Sequence, residues 1–304
     1  MTYARRLIVP ILTCACAILP TAAQSAKLRP AEIMVLGDSQ LAFGSGPAFL
    51  SFFNNFAERC SGLGLPDDKL KKVQAMSFGI LGVRATGLHM WLSKTKKGTR
   101  MICVKDPAGL SNASTYGAMR YRNQRWVQIG ESRHHKFCEP SQSPLQNIFS
   151  ALPEPPKLMI FHFLGLSTFH WLKASRLKND LIQVNAQMPR TTNCMFLTTI
   201  PAYRGKINRP RVRAQDKLQM ALLDNNHRCG LVKGVTPKTL AAFQDNPAYY
   251  YKNKKGAVKD PYHTTPSGAA RFLAIRGPAI CRGVVNALWP DGADTRYSQS
   301  NDKP

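Results

Sequence analysis

Apolar residues recur along the chain in short runs set between turn signals. The first is Ile-Met-Val-Leu at 33–36, which stops at Gly37-Asp38-Ser39. A run of that length bounded by turn residues suits a buried parallel strand. Further runs stand at 73–78, leading into a turn at Gly79 to Gly82, at 157–164, ending in Gly165, and at 193–200 and 229–232. Between them lie stretches with helical character: 48–57 with Pro47 near its first turn, then 87–92, 173–188, 215–225 and 266–288. A break in the last is expected at Gly277-Pro278. Residues 58–74, rich in glycine and lysine, and the basic stretch 204–213 read as loops.

One long region departs from this alternation. From about 93 to 156 the chain opens with Lys94, Lys96, Lys97 and Arg100 and ends in Pro153-Glu154-Pro155-Pro156, a linker-like signal. Within it, residues 121–129 alternate in part like a strand. It reads as a β-containing insertion near the site, stapled by Cys103 and Cys138. Its Arg120, Arg122, Arg125 and Trp126 are candidates for holding a sugar polymer by charge and stacking.

The first residues change the setting. Arg5-Arg6, a mostly apolar run at 7–19 and Thr21-Ala22-Ala23 match a secretory signal peptide over 1–23, too short for a membrane span. The body at 24–290 is then expected to be a secreted or periplasmic, soluble monomer with no membrane span, and 291–304 a polar, loose tail. An exported chain keeping six cysteines can form three disulfides. The cysteines are not spaced as C-x-x-C pairs, and His134-His135-x-x-Cys138 reads as a loop rather than a ligand set, so no metal is expected.

Net charge is +25 for the whole sequence, and Arg5 and Arg6 are the only charges in 1–23, which leaves +23. A field of that size attracts polyanions. For an exported protein the expected partner is an acidic polysaccharide or cell-wall polymer. No nucleic-acid module is recognisable, and no nucleic-acid partner is expected.

Candidate chemistry lies at the end of the first strand. Ser39 sits where a strand turns toward a helix, at the carboxyl edge where open α/β sheets bind ligands. A serine hydroxyl is a weak nucleophile that needs a base. Far downstream, Asp260-Pro261-Tyr262-His263 holds a carboxylate three residues before a histidine. Histidine suits the base, and a carboxylate can fix its tautomer.

Gly-Asp-Ser near the start and Asp-x-x-His near the end together resemble the GDSL (SGNH) hydrolases. That resemblance spans short blocks over roughly 31–285. It implies a flavodoxin-like three-layer α/β/α sandwich with a parallel sheet and serine ester hydrolysis without a cofactor. Ser39 would be nucleophile, His263 general base and then acid, and Asp260 its orienting partner. The oxyanion would be held by the backbone N–H groups of Ser39 and of Gly82, with Gly79 as the alternative to Gly82.

The family's third block ends in Gly-x-Asn-Asp, whose asparagine donates to the oxyanion. Here the place reads Gly165-Leu166-Ser167-Thr168, so Ser167 stands in with a shorter donor. His170 and Tyr250 are expected at the cleft. The resemblance leaves open an acyltransferase, or a polysaccharide-binding module with an eroded site. Cys194 and Cys229, each just before a strand, are expected to pair. Cys60 and Cys281 would join helices on the same face of a flavodoxin-like sheet.

Overall fold

The computed structural model describes residues 31–83, 85–94, 114–122, 125–131, 141–225 and 227–290, with the two strands inside 114–131 described by their backbone. The strands are β1 (Ile33–Gly37), β2 (Phe78–Val83), β3 (Ser114–Arg122), β4 (Arg125–Glu131), β5 (Leu158–His162), β6 (Asn193–Leu197) and β7 (Gly230–Val232). They form one sheet in the order β4-β3-β2-β1-β5-β6-β7. The five strands β2-β1-β5-β6-β7 run parallel. Numbering those five alone gives 2-1-3-4-5, the flavodoxin-like order. The β3–β4 hairpin extends the β2 edge antiparallel.

Helices cover both faces. In chain order they are α1 (Gly46–Asn54), α2 (Phe56–Cys60), α3 (Asp67–Ala75), α4 (Leu88–Leu92), α5 (Pro144–Ala151), α6 (Ser167–Trp171), α7 (Ala174–Gln187), α8 (Gly205–Asp224), α9 (Pro237–Phe243) and α10 (Pro266–Leu288). The alternation within β1 shows why its run is apolar throughout. Ile33 and Val35 enter the core under α1, α2, α3 and α10; Met34 and Leu36 enter the opposite core, under α4 to α8. Both faces of the strand are buried, so no polar face remains to break the run. The result is a three-layer α/β/α sandwich. Among the described residues no helix is long and apolar enough to cross a membrane.

Several elements differ from the sequence reading. The expected loop at 58–74 contains α3, whose Asp67 and Asp68 favour a helix start and whose Leu70 and Val73 bury one short stripe. The expected basic loop at 204–213 is the first half of α8, which runs through Pro210. Tertiary anchoring overrides the proline: Asn208 bonds the Ala202 N–H at 2.7 Å and the Ala202 carbonyl at 2.8 Å, and Arg211 donates to the Ile200 carbonyl at 3.1 Å. Helix α10 likewise continues through Gly277 and Pro278. The second strand begins at Phe78, so Gly79 and Gly82 lie inside it and not in a turn. Residues 121–122 and 125–129 belong to two antiparallel strands, with Arg122 opposite Arg125.

Two of the expected disulfides are present, Cys60–Cys281 between α2 and α10 and Cys194–Cys229 at the start of β6 and β7. Register explains the second: Met195 pairs with Gly230, so the residues before them lie side by side. Cys103 and Cys138 lie outside the described residues, as do 1–30 and 291–304.

Candidate active site

β1 delivers Asp38 and Ser39 to the carboxyl edge, and the chain enters a π-helical turn (Leu41–Ser45) before α1. The turn packs directly onto β2. A methyl group on Gly82 would come within 2.6 Å of Leu41 Cβ and 2.7 Å of the Ala42 nitrogen, so only glycine lets the turn sit there. Gly82 itself pairs with Gly37 on one side and Thr115 on the other. Its lack of a side chain therefore serves this close approach.

Asp38 is fully buried and fixes the edge. Its carboxylate accepts from the Gln40 N–H at 2.9 Å and from the Gly165 N–H at 3.2 Å. The second bond ties the end of β1 to the loop after β5. Gly165 is needed there because a Cβ would stand 2.7 Å from Asp38 Oδ2. Burial raises the Asp38 carboxyl above its usual range; the Gln40 N–H and the charge of buried Arg211 offset only part of this.

The loop carrying Asp260 and His263 closes over Ser39. Gln40 Nε2 donates to the Tyr262 carbonyl at 2.6 Å, and the Tyr203 N–H donates to the Pro261 carbonyl at 2.8 Å. His263 Nε2 lies 2.8 Å from Ser39 Oγ, and His263 Nδ1 lies 2.7 Å from Asp260 Oδ2. The other Asp260 oxygen accepts from the N–H groups of Tyr262 at 2.9 Å and His263 at 3.1 Å. Burial works to raise the Asp260 carboxyl, but the hydrogen bond from His263 and these N–H groups outweigh it and hold it below the usual aspartate range. An ionised Asp260 draws the imidazole proton to Nδ1 and leaves Nε2 free to accept the Ser39 proton. Chemically, this arrangement can raise the nucleophilicity of a serine hydroxyl.

No protein-family model and no curated protein matches the chain. Among solved structures, a DUF4886 family protein from Bacteroides uniformis is similar over 90% of this chain and 88% of that one, at 12% identity and a TM-score of 0.48.

The remaining expected site residues fare differently. Ser167 opens α6 and is buried, and its Oγ accepts from the Leu88 N–H at 3.0 Å. It therefore joins the loops after β2 and β5, which flank β1. His170 stacks on His89 with ring centroids 4.1 Å apart. Tyr250 is buried, not at a rim: its hydroxyl donates to the Pro201 carbonyl at 2.9 Å, and burial pushes its acidity well below that of a free tyrosine. The exposed tyrosine of the Asp260–His263 loop is Tyr262.

Arg122, Arg125 and Trp126 lie away from Ser39. β3 starts opposite Val83 and reaches Met119 opposite Phe78, so its far end projects past the amino edge of β2. At roughly 3.3 Å per residue, Arg122 is on the order of 20 Å along the strand from the level of Gly82. Antiparallel pairing, invisible in the local sequence, carries Arg122 and Arg125 toward the amino edge of β2.

Sequence reading missed three features. Asp38 and Gln40 were legible only as neighbours of Ser39. Ala85, two residues past β2, holds a left-handed φ of 52°, a conformation costing about 1 kcal/mol that an alanine does not announce. His89, His170 and Asp180 come together from three helices.

Proposed function

We propose that the chain is an exported serine ester hydrolase of the GDSL (SGNH) type that removes an acyl group, acetyl among the candidates, from an anionic carbohydrate polymer. The observation that carries this reading is the continuous relay Asp260–His263–Ser39, with both linking distances below 3 Å.

In this reading Ser39 Oγ attacks the ester carbonyl as His263 Nε2 takes its proton. Asp260 holds the imidazole and stabilises its cation. The Ser39 backbone N–H, aided by the Ser167 hydroxyl, faces the oxyanion. His263 then returns the proton to the leaving sugar oxygen, and the acyl group stays on Ser39. A water activated by His263 releases it. A sugar hydroxyl in place of that water makes the same residues an acyltransferase. No cofactor enters any of these steps.

A serine-directed fluorophosphonate, followed by an ester panel on the purified protein, tests the proposal. Labelling is expected in the wild type, absent in Ser39→Ala and steeply reduced in His263→Ala. Equal labelling of wild type and Ser39→Ala would remove the hydrolase and acyltransferase readings together and leave a binding module. Labelling with release of acyl groups only to an added sugar acceptor would select the transferase.

A further inference from the structure

His89 on α4, His170 on α6 and Asp180 on α7 form a cluster apart from the Ser39 relay, with their ligand atoms within 4.8 Å of one another. The sheet order β2-β1-β5 explains the meeting: α4 follows β2 and α6 follows β5, so the two histidines belong to the loops on either side of β1. The Leu88 N–H to Ser167 Oγ bond already joins these two loops, one residue from His89 and one helical turn from His170.

Three details single the cluster out. First, His170 Nε2 lies 3.4 Å from Asp180 Oδ1. That is long for a charge-assisted hydrogen bond, which runs about 2.7–2.9 Å. It matches two ligands on one tetrahedral ion with bonds of about 2.0–2.1 Å. Second, His89 Nδ1 is buried and has no hydrogen-bond partner among the described residues. Third, Asp180 is buried and oriented from behind: its other oxygen accepts from Trp171 Nε1 at 2.9 Å, the kind of outer contact that fixes a ligating carboxylate.

We propose that His89, His170 and Asp180 bind a borderline divalent ion, Zn²⁺ in the first instance, with a fourth position left to water. Two imidazoles and one carboxylate select this class over Mg²⁺ and Ca²⁺, which take oxygen ligands. The rings lie 13° from parallel, so their in-plane lone pairs do not yet converge. Ligation turns the half-buried His89 ring out of the stack. That motion breaks no hydrogen bond at Nδ1 and gives up the ring contact with His170. The bound ion would pin α4, α6 and α7 to one another and so fix the two loops that flank Ser39.

Calorimetric titration of chelator-treated protein with Zn²⁺ tests this. One equivalent is expected to bind, with Mg²⁺ giving no signal and Zn²⁺ raising the Tm. Affinity is expected to fall at least tenfold in His89→Gln and in His170→Gln, each checked for fold by circular dichroism. Co²⁺ should give visible absorption in the wild type that both variants lose. Ser39→Ala should bind Zn²⁺ as the wild type does, so the outcome is independent of the esterase reading. Absence of Zn²⁺ binding, or an equivalent that survives both histidine substitutions, would overturn the assignment.

Discussion

Ser167 shows how one hydroxyl is drawn into two tasks. Its oxygen already serves the Leu88 N–H across the rim. Its hydrogen is the only part left for an oxyanion, on a side chain shorter than the asparagine found in the GDSL pattern. Ser167→Ala would leave a buried N–H without that acceptor, which costs about 1–3 kcal/mol. The expected result is an unfolding free energy lower by that amount in urea titration, together with a rate loss well under the hundred- to thousand-fold typical of a good oxyanion donor. A folded Ser167→Ala protein that loses about a thousand-fold in ester turnover would show that the hydroxyl, and not the backbone, holds the oxyanion.

At the scale of elements, the helices on one face of the sheet are held to one another. α10 lies under the sheet against α1 and α2, where Phe49, Phe52, Phe53 and Phe56 meet Phe272, Ile280 and Val284 in one core. The Cys60–Cys281 bond ties α2 to α10 across a sequence separation of 221 residues. A disulfide closing so long a loop typically contributes about 2–4 kcal/mol, chiefly by restricting the unfolded chain. A Cys60→Ser/Cys281→Ser variant is expected to unfold at lower denaturant by that amount, while its Ser39 labelling persists under native conditions. An unchanged midpoint would mean that the aromatic core alone sets the stability of this face.

For the molecule as a whole, two consequences follow from buried and exposed charge. His162 is buried in β5 with Nδ1 at 3.0 Å from the Leu197 carbonyl, and burial pushes its pKa down to about 4. The unfolded chain, with histidine near 6.5, therefore binds more protons between pH 6.5 and 4. Stability from this group is complete above pH 6.5 and falls by about 3 kcal/mol as pH drops to 4. The lowered Asp260 carboxyl acts in the same sense at its acid end, and the raised Asp38 carboxyl in the opposite one. The difference between urea midpoints at pH 7 and pH 4.5, compared between wild type and His162→Gln, isolates this group; an equal difference in both proteins would count against a neutral buried His162.

The exposed charge is not evenly placed. Arg204, Lys206, Arg209 and Arg213 on and before α8, and Lys252, Lys254, Lys255 and Lys259 in the loop before Asp260, are exposed. The Tyr203–Pro261 bond joins these two segments beside His263. Lys69, Lys71 and Lys72 on α3 precede β2 and belong to the other edge. Attraction between exposed charges is screened over about 8 Å at physiological salt. Binding of an acidic polysaccharide is thus expected to weaken steeply with salt, and Lys254→Glu/Lys255→Glu to weaken it more than Lys71→Glu/Lys72→Glu. Turnover of a small neutral ester should barely change. Equal affinity for neutral and acidic polymers would leave the basic surface without this role.

The sequence alone determined what is local. The fully apolar run of β1 marked a strand buried on both faces, because both sides of its pleat pack against helices. Ser39 and the Asp260–His263 pair stood out because activating a serine hydroxyl calls for those residue types. The three-residue spacing lets Asp260 reach His263 within one loop. The strand starts suggested the Cys194–Cys229 pair, whereas the parallel order and Cys60–Cys281 were expected from the resemblance to the GDSL hydrolases.

Tertiary structure decided the rest, since it turned on contacts between distant segments. Pro210 stays helical because Asn208 and Arg211 anchor α8 to the end of β6. Gly82 is set by the approach of Leu41 and Ala42 rather than by a turn. Tyr250 turned inward because the Pro201 carbonyl offered its hydroxyl a buried partner. Arg122, Arg125 and Trp126 went to the far edge because β3 runs against β2. His89, His170 and Asp180 met only because β2, β1 and β5 are neighbours in the sheet. No spacing along the chain encodes that adjacency.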